Sequence, residues 1–282
     1  MHTSHPAFRP PPDADGKIWQ YMELAEFVSM LNRKALFFVK ANKLRDPYEG
    51  IIPQYSNMIR SKRDNDEQKQ YFQRLYENNN DGLYRKVART VVEQFQMYRQ
   101  LVLINPWHYN EYESGAMWSL YSHENAGIAV QSTTRRLSEC FKDNNEDPIW
   151  IGKVQYLDFS LDWMNEWSNN NLFQAFVTKR KSFEYEKEIR AVTCLPDDKV
   201  SRHLLANTAT KESNVFSTRK RTVNPKELTD KGKYVSADLH TLIEKVYVAP
   251  YAESWFEEVV ESLLLKYDLD PVITKSDLYT IS

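Results

Sequence analysis

Strand-length apolar runs alternate with short amphipathic stretches along most of the chain, and this alternation constrains the fold more than any other feature. I-W-Q-Y-M, from Ile18, leads into E-L-A-E-F-V-S-M-L-N-R-K, where Leu24, Phe27, Val28 and Leu31 recur at helical spacing. A-L-F-F-V-K-A then reads as a strand and N-K-L-R-D-P-Y-E-G as a loop. L-V-L-I-N-P-W, G-I-A-V-Q-S-T, W-I-G-K-V-Q-Y-L-D-F and E-K-V-Y-V-A-P continue the strand series. Short helices are expected at E-S-G-A-M-W-S-L-Y-S, T-T-R-R-L-S-E-C-F and S-W-F-E-E-V-V-E-S-L-L-L-K-Y. Such interleaving favours α+β over a doubly wound parallel sheet. The expected fold is a single α+β domain with a mixed, mainly antiparallel β core, flanking short helices and an inserted helical arm.

The arm is expected at about residues 60–100, where Tyr71, Leu75 and Tyr76, then Val87, Val91, Val92 and Phe95, keep helical spacing around an Asn78–Gly82 break. Residues 1–17, rich in Pro and Asp, read as a flexible lead-in to a domain spanning 18–282. A polar stretch at about 197–232 reads as a mobile loop, and its basic cluster Arg219, Lys220, Arg221 is a phosphate-binding candidate.

A chain of 282 residues with 41% hydrophobic and 13% aromatic content can bury a sizeable core. Lys and Arg (37) nearly balance Asp and Glu (39), so no global charge marks the chain for nucleic acid or an anionic membrane. Its two cysteines, Cys140 and Cys194, form no C-x-x-C, which argues against zinc ribbons and disulfide scaffolds and for a reduced, cytoplasmic setting. No apolar run approaches bilayer length and the N-terminus has no signal-like core, so membrane insertion and secretion are disfavoured. The seven glycines make neither G-x-G-x-x-G nor a P-loop.

Chemistry concentrates in three places. In K-S-F-E-Y-E-K-E-I-R-A-V, Glu184, Glu186 and Glu188 alternate into a β-branched run, so an extended chain would point them the same way beside Arg190. They form either a surface ion ladder or the acidic centre of a site. In D-P-Y-E-G, Pro47 presets a turn and Gly50 permits a positive φ, presenting Tyr48 and Glu49 from a loop while Asp46 caps the turn. In P-W-H-Y-N-E-Y-E-S-G-A-M-W-S-L-Y, Trp107, Trp118 and Tyr121 are either core or the walls of a pocket, with His108 and Ser114 as polar candidates. Asp46, Glu49, His108, Glu186 and Glu188 have oxygen- and nitrogen-bearing side chains that a metal could use, but no D-x-D or H-x-x-x-H clamp accompanies them, and no metal is expected.

These blocks, with W-Q-Y-M and G-I-A-V in the same order, resemble a bacterial family called "domain of unknown function 2971" from Ile18 onward. The resemblance implies a cytoplasmic protein of the kind met in prophage and defence neighbourhoods, with no agreed activity. The chain departs from the family pattern at Gln20, where Lys or Arg is common, and at Pro106, where Cys is frequent. A thiol at that point is therefore not essential here.

The order of blocks is also similar in layout to ADP-ribosyltransferases, which gather an early basic motif, a middle aromatic motif and a late E-x-E around one NAD cleft. That resemblance implies Glu188 as catalytic carboxylate, with Glu186 orienting or deprotonating the nucleophile. It implies NAD as substrate, contacted by Tyr21, Tyr48, Glu49, His108, Trp118 and Arg190. The expected function is an NAD-dependent toxin or phage-defence effector that transfers ADP-ribose to a protein or nucleic-acid target. A non-enzymatic nucleotide sensor and a metal-dependent nuclease are the alternatives.

Overall fold

A computed structural model describes residues 5–51, 81–121, 126–144, 147–159, 172–195, 226–270 and 272–279. The chain enters strand β1 (Lys17–Glu23), helix α1 (Leu24–Arg33) and strand β2 (Ala35–Lys40). In α1, Phe27, Met30 and Leu31 are the buried positions, as a 3.6-residue period requires, and Glu26 accepts a hydrogen bond from the Glu23 N–H at 3.2 Å to close the first turn. Lys34, at φ 48°, turns the chain back into β2.

Helix α2 (Asp81–Leu101) runs straight into strand β3 (Val102–Tyr109). Helix α3 (Gly115–Tyr121), strand β4 (Gly127–Thr133), helix α4 (Thr134–Glu139) and strands β5 (Trp150–Lys153), β6 (Gln155–Leu157) and β7 (Thr178–Arg180) follow. After a 3-10 turn at Lys181–Glu186 come strand β8 (Glu188–Cys194), strand β9 (Gly232–Ser236), helix α5 (Leu239–Leu242), strand β10 (Lys245–Val248), helix α6 (Ser254–Lys266) and strand β11 (Val272–Lys275). The architecture is α+β, and the main sheet is antiparallel except where β10 meets β11.

The sheet runs β11-β10-β4-β1-β3-β2-β9, with β8 on the opposite edge of β3 and β5 beyond it. One detail of this order makes the site. β1 and β2 share one edge of β3 without pairing to each other: Ile18 and Trp19 pair with Tyr109 and His108, whereas Val39 and Lys40 pair with Ile104 and Leu103. The strands fork at Asn105–Trp107, where Pro106 has no N–H to donate. Side chains fill in for the absent strand: Asn105 donates to the Phe37 carbonyl at 3.1 Å and Trp107 donates to Asn105 at 2.6 Å.

Strands β3 and β8 separate two apolar clusters. Leu103, Trp107, Ile189 and Ala191 pack in the larger one, with Phe27, Leu31, Phe256, Val260 and Leu264 from α1 and α6. Val102, Ile104, Val192 and Cys194 alternate to the other face and meet Phe95 and Tyr98 of α2, Trp150, Phe173 and Phe176. Within the segment expected as a lead-in, Phe8 belongs to this second cluster, stacked on Trp150. Gly50, at φ 67°, sits where a Cβ would collide with Phe176. Of the expected arm, only α2 is described, and the expected loop lies outside the described residues except 226–232. Its basic cluster, Arg219–Arg221, lies outside them too. Among the described residues no helix is long and apolar enough to cross a membrane.

Candidate active site

Two and four positions before Val192, the same face of β8 carries Arg190 and Glu188. Every residue of β8 is buried, so these charges need partners inside the protein. Arg190 uses four of its five N–H donors: Nε to Glu188 Oε2 at 2.5 Å, two guanidinium nitrogens to the two oxygens of Glu49 at 2.8 Å each, and one further bond to the Phe176 carbonyl at 2.7 Å. Lys179 of β7 is the second cation, with Nζ 2.7 Å from Glu188 Oε1, 3.2 Å from Glu49 Oε1 and hydrogen-bonded to Glu186.

The loop D-P-Y-E-G is held against this cluster by its first residue. Asp46 accepts from the Tyr48 N–H at 3.0 Å, which makes the expected cap, and its carboxylate also takes two hydrogen bonds from Arg180, at 2.7 and 3.0 Å. The Arg180 guanidinium lies over the Tyr48 ring, 4.5 Å from its centre. Glu49 thus arrives at Arg190 from a loop 141 positions away.

Glu186 reaches Glu188 by a route different from the one expected. Glu184 and Glu186 lie in a 3-10 turn, not on a strand, and Lys187, at φ 43°, reverses the chain so that β8 begins at Glu188. A strand pairing cannot start inside a turn whose N–H groups are already used locally, so the alternation of Glu184, Glu186 and Glu188 is not a strand periodicity. The turn nonetheless brings the Glu186 and Glu188 carboxylates together around Lys179.

Their proton affinities diverge. Burial is the largest influence on Glu186 and raises its pKa; the neighbouring Glu188 adds to it, and the carboxyl is pushed up to about 7 despite Lys179. Burial alone would raise Glu188 as well, but Arg190 and Lys179 overcome it and hold Glu188 below the usual carboxylate range. Three carboxylates, Glu49, Glu186 and Glu188, face two cations, Lys179 and Arg190. The one negative charge in excess falls on Glu186, which is therefore the group able to exchange a proton near neutrality.

The cluster borders a cavity of about 980 Å³ that also borders the fork between β1 and β2. Glu49, Tyr121, Lys179, Glu186, Glu188 and Arg190 are among its lining residues, as are Lys43, Arg45 and Lys231. The volume is within the range of small-molecule sites. Burial, then Glu186 and Glu188, push the Tyr121 phenol up to about 12, so it remains an O–H donor.

The eight sequence-expected residues divide accordingly. Glu186, Glu188, Glu49, Arg190 and Tyr21 line the cavity. His108 lines a smaller one, of about 100 Å³, that shares Tyr21, Tyr121, Glu186 and Glu188 with the first. Tyr48 packs on Arg180 and is not among the cavity-lining residues. Trp118 is also elsewhere: it is buried in the larger core with its ring edge on Tyr21, 5.0 Å away, and its indole N–H on Glu113 at 2.8 Å. Tyr121, nearly one turn further along α3, is the aromatic that borders both cavities. Lys179 and Arg180 were not foreseen, since T-K-R-K reads as a solvated run until β6 and β7 pair in parallel and bury its second residue. Among the described residues no group of three or more His, Cys, Asp or Glu is arranged to hold a metal ion. The space between the carboxylates is taken by Lys179 and Arg190.

Fold and site together define an α+β architecture with a buried cluster of carboxylates and cations on the wall of a cavity. Residues 117–191 match the model of a family described as "Protein of unknown function (DUF2971)", the family that the sequence blocks resemble. This range takes in the end of the aromatic block and the glutamate block through Ala191. No curated protein matches the chain. Among solved structures, DarT from Thermus sp. 2.9 in complex with NAD+ is similar over 95% of this chain and 97% of that one, at 9% identity and a TM-score of 0.36. The same protein in complex with ADP-ribosylated ssDNA is similar over the same shares at 10% identity, with a TM-score of 0.36. Backbones that superpose this loosely do not carry residue roles from one chain to another.

Proposed function

We propose that the protein is an ADP-ribosyltransferase-like enzyme that binds NAD in the 980 Å³ cavity and cleaves its nicotinamide–ribose bond at Glu186 and Glu188. The observation that supports this reading is the pair of adjacent carboxylates with opposed proton affinities on one cavity wall. Glycosidic cleavage builds positive charge on the ribose as the bonding electrons leave with neutral nicotinamide. A fixed negative charge beside that centre lowers the barrier, and water exclusion strengthens the effect. Glu188, kept ionised by Lys179 and Arg190, supplies part of that field. Glu186, near neutrality, accepts the proton of an O–H or N–H nucleophile as it bonds to the ribose carbon.

The acceptor would be a protein or nucleic acid, in keeping with a toxin or defence effector. The direct test is purified protein with labelled NAD and a cell lysate. Label transfer or nicotinamide release that is lost in Glu188→Ala supports the reading, and transfer that survives this substitution overturns it.

A second reading, a nucleotide-binding module without turnover, is favoured by one observation. Each oxygen of Glu188 already has a cationic partner, as in a purely structural ion cluster. It predicts that NAD raises the melting temperature with no product formed.

A further inference from the structure

Pairing between β5 and β8 sets Trp150 opposite Val192 and Gly152 opposite Arg190. Residues opposed in this way put their side chains on one face of the sheet. Trp150 and Val192 cover that face as members of the second apolar cluster, but Gly152 has no side chain with which to cover the stretch beside Arg190. Among the described residues β5 pairs only with β8, so the buried guanidinium lies one strand in from a sheet edge. Water admitted there would weaken every charge interaction that Arg190 makes. Phe8 fills the space. A Cβ on Gly152 would come within 2.9 Å of the Phe8 Cβ and 3.0 Å of its Cα. The Phe8 ring stacks on Trp150 at 6.1 Å and packs on Phe173 at 5.7 Å. Phe173 belongs to the 3-10 turn Leu172–Phe176, whose last carbonyl accepts the 2.7 Å bond from Arg190.

The segment around Phe8 is tied down on both sides. Lys153 donates to the Arg9 carbonyl at 2.9 Å, and Phe8 donates to the His5 carbonyl at 2.9 Å. His5 Nδ1 accepts from the Ala7 N–H at 3.1 Å, so Nε2 carries the ring proton. That N–H is buried with no hydrogen-bond partner, and the rings of Phe173, Phe8 and Trp150 stand 5.1, 5.5 and 6.2 Å from the imidazole. An unpaired buried donor costs stability, which a free tail would avoid by leaving the ring in water. We infer that residues 5–9 form a strap that keeps water from the cluster of Arg190, Glu188 and Glu49, with Phe8 as its positioning residue. Phe8 acts through Arg190. The strap keeps the guanidinium dry, Arg190 and Lys179 then hold Glu188 ionised, and Glu188 helps to keep the proton on Glu186. The acid–base chemistry of the site is thereby set in part by a segment that lines neither cavity.

The test is made by NMR on the full chain. The Arg190 Nε–H should exchange with deuterated water roughly tenfold faster in Phe8→Ala than in wild type. Gly152→Ala pushes on the strap from the other side of the same contact and should match it; this variant serves if Phe8→Ala does not fold. Phe8→Leu keeps an apolar cover and should stay near wild type. Phe256→Ala, in the larger cluster, is the control, because its exchange reports lost stability without a lifted strap. The Glu186 carboxyl, which titrates at about 7 when Glu188 acts on it at full strength, should titrate lower by about half a pH unit or more in both strap variants, as water screens Glu188. Exchange no faster than in Phe256→Ala, or a Glu186 midpoint that does not move in either strap variant, overturns the strap. Neither measurement uses NAD, so the strap and the proposed reaction stand or fall separately.

Discussion

Glu49 and Arg190 meet through two parallel hydrogen bonds of 2.8 Å, both side chains about 1% exposed, and this pair fastens the D-P-Y-E-G loop to the strand that bears Glu188. Planar two-point pairing is the geometry a guanidinium offers and an ammonium does not. Arg190 is therefore spent on holding the site together. Glu49→Ala leaves the guanidinium buried with half its partners gone, and urea denaturation should register a loss of about 3–5 kcal/mol. Arg190→Lys should recover little of the stability lost in Arg190→Ala.

Glu188→Gln tests the charge separately from the shape. It should lower NAD turnover by roughly 10²–10³-fold, the scale expected when one preorganised electrostatic partner of a transition state is removed. Stopped-flow or end-point assays of nicotinamide release read this directly, with NAD binding checked in parallel by calorimetry.

The pH profile should belong to Glu186. With its carboxyl pushed up to about 7 by burial and by Glu188, a base at this position is ionised only above that value. Turnover should rise with pH to about 7 and then level off, and Glu186→Gln should flatten the curve. Stability has the opposite sense. A carboxyl whose pKa is raised on folding stabilises fully below the ordinary carboxylate range, and that contribution is lost as pH rises through about 7. Wild type should therefore lose more melting temperature than Glu186→Gln between pH 5 and pH 8, as differential scanning fluorimetry would read.

Two aromatics on one helix should give contrasting phenotypes. Trp118→Ala removes a core ring and should cost about 3–5 kcal/mol. Tyr121→Ala should change stability by less than about 1 kcal/mol while raising the KM for NAD roughly tenfold, because its ring borders both cavities. Steady-state kinetics beside thermal melts separates the two.

The strands and short helices were legible because each carries its own period, as Leu24, Phe27, Val28 and Leu31 do in α1, of which Phe27 and Leu31 are buried. The juxtaposition of Glu49 with Glu188 was legible only as an ordered set of blocks. Local spacing misassigned the approach to the site, since alternation in E-Y-E-K-E looks identical whether the chain is extended or turns at Lys187. Lys179 was missed, and Tyr121 was left undecided between core and pocket wall, for a related reason. A lysine in a basic run and a tyrosine on a core helix acquire their roles from tertiary neighbours, Glu49 and Glu188 for the one, the fork in the sheet for the other.

That fork also bears on how the protein answers a ligand. Among the described residues β1 and β2 each pair with β3 and not with each other, so no strand ladder spans the gap beside Pro106. A molecule seated there braces both arms at once, as a keystone does, and its arrival should be felt as slowed amide exchange in β1 and β2 well before any product is made.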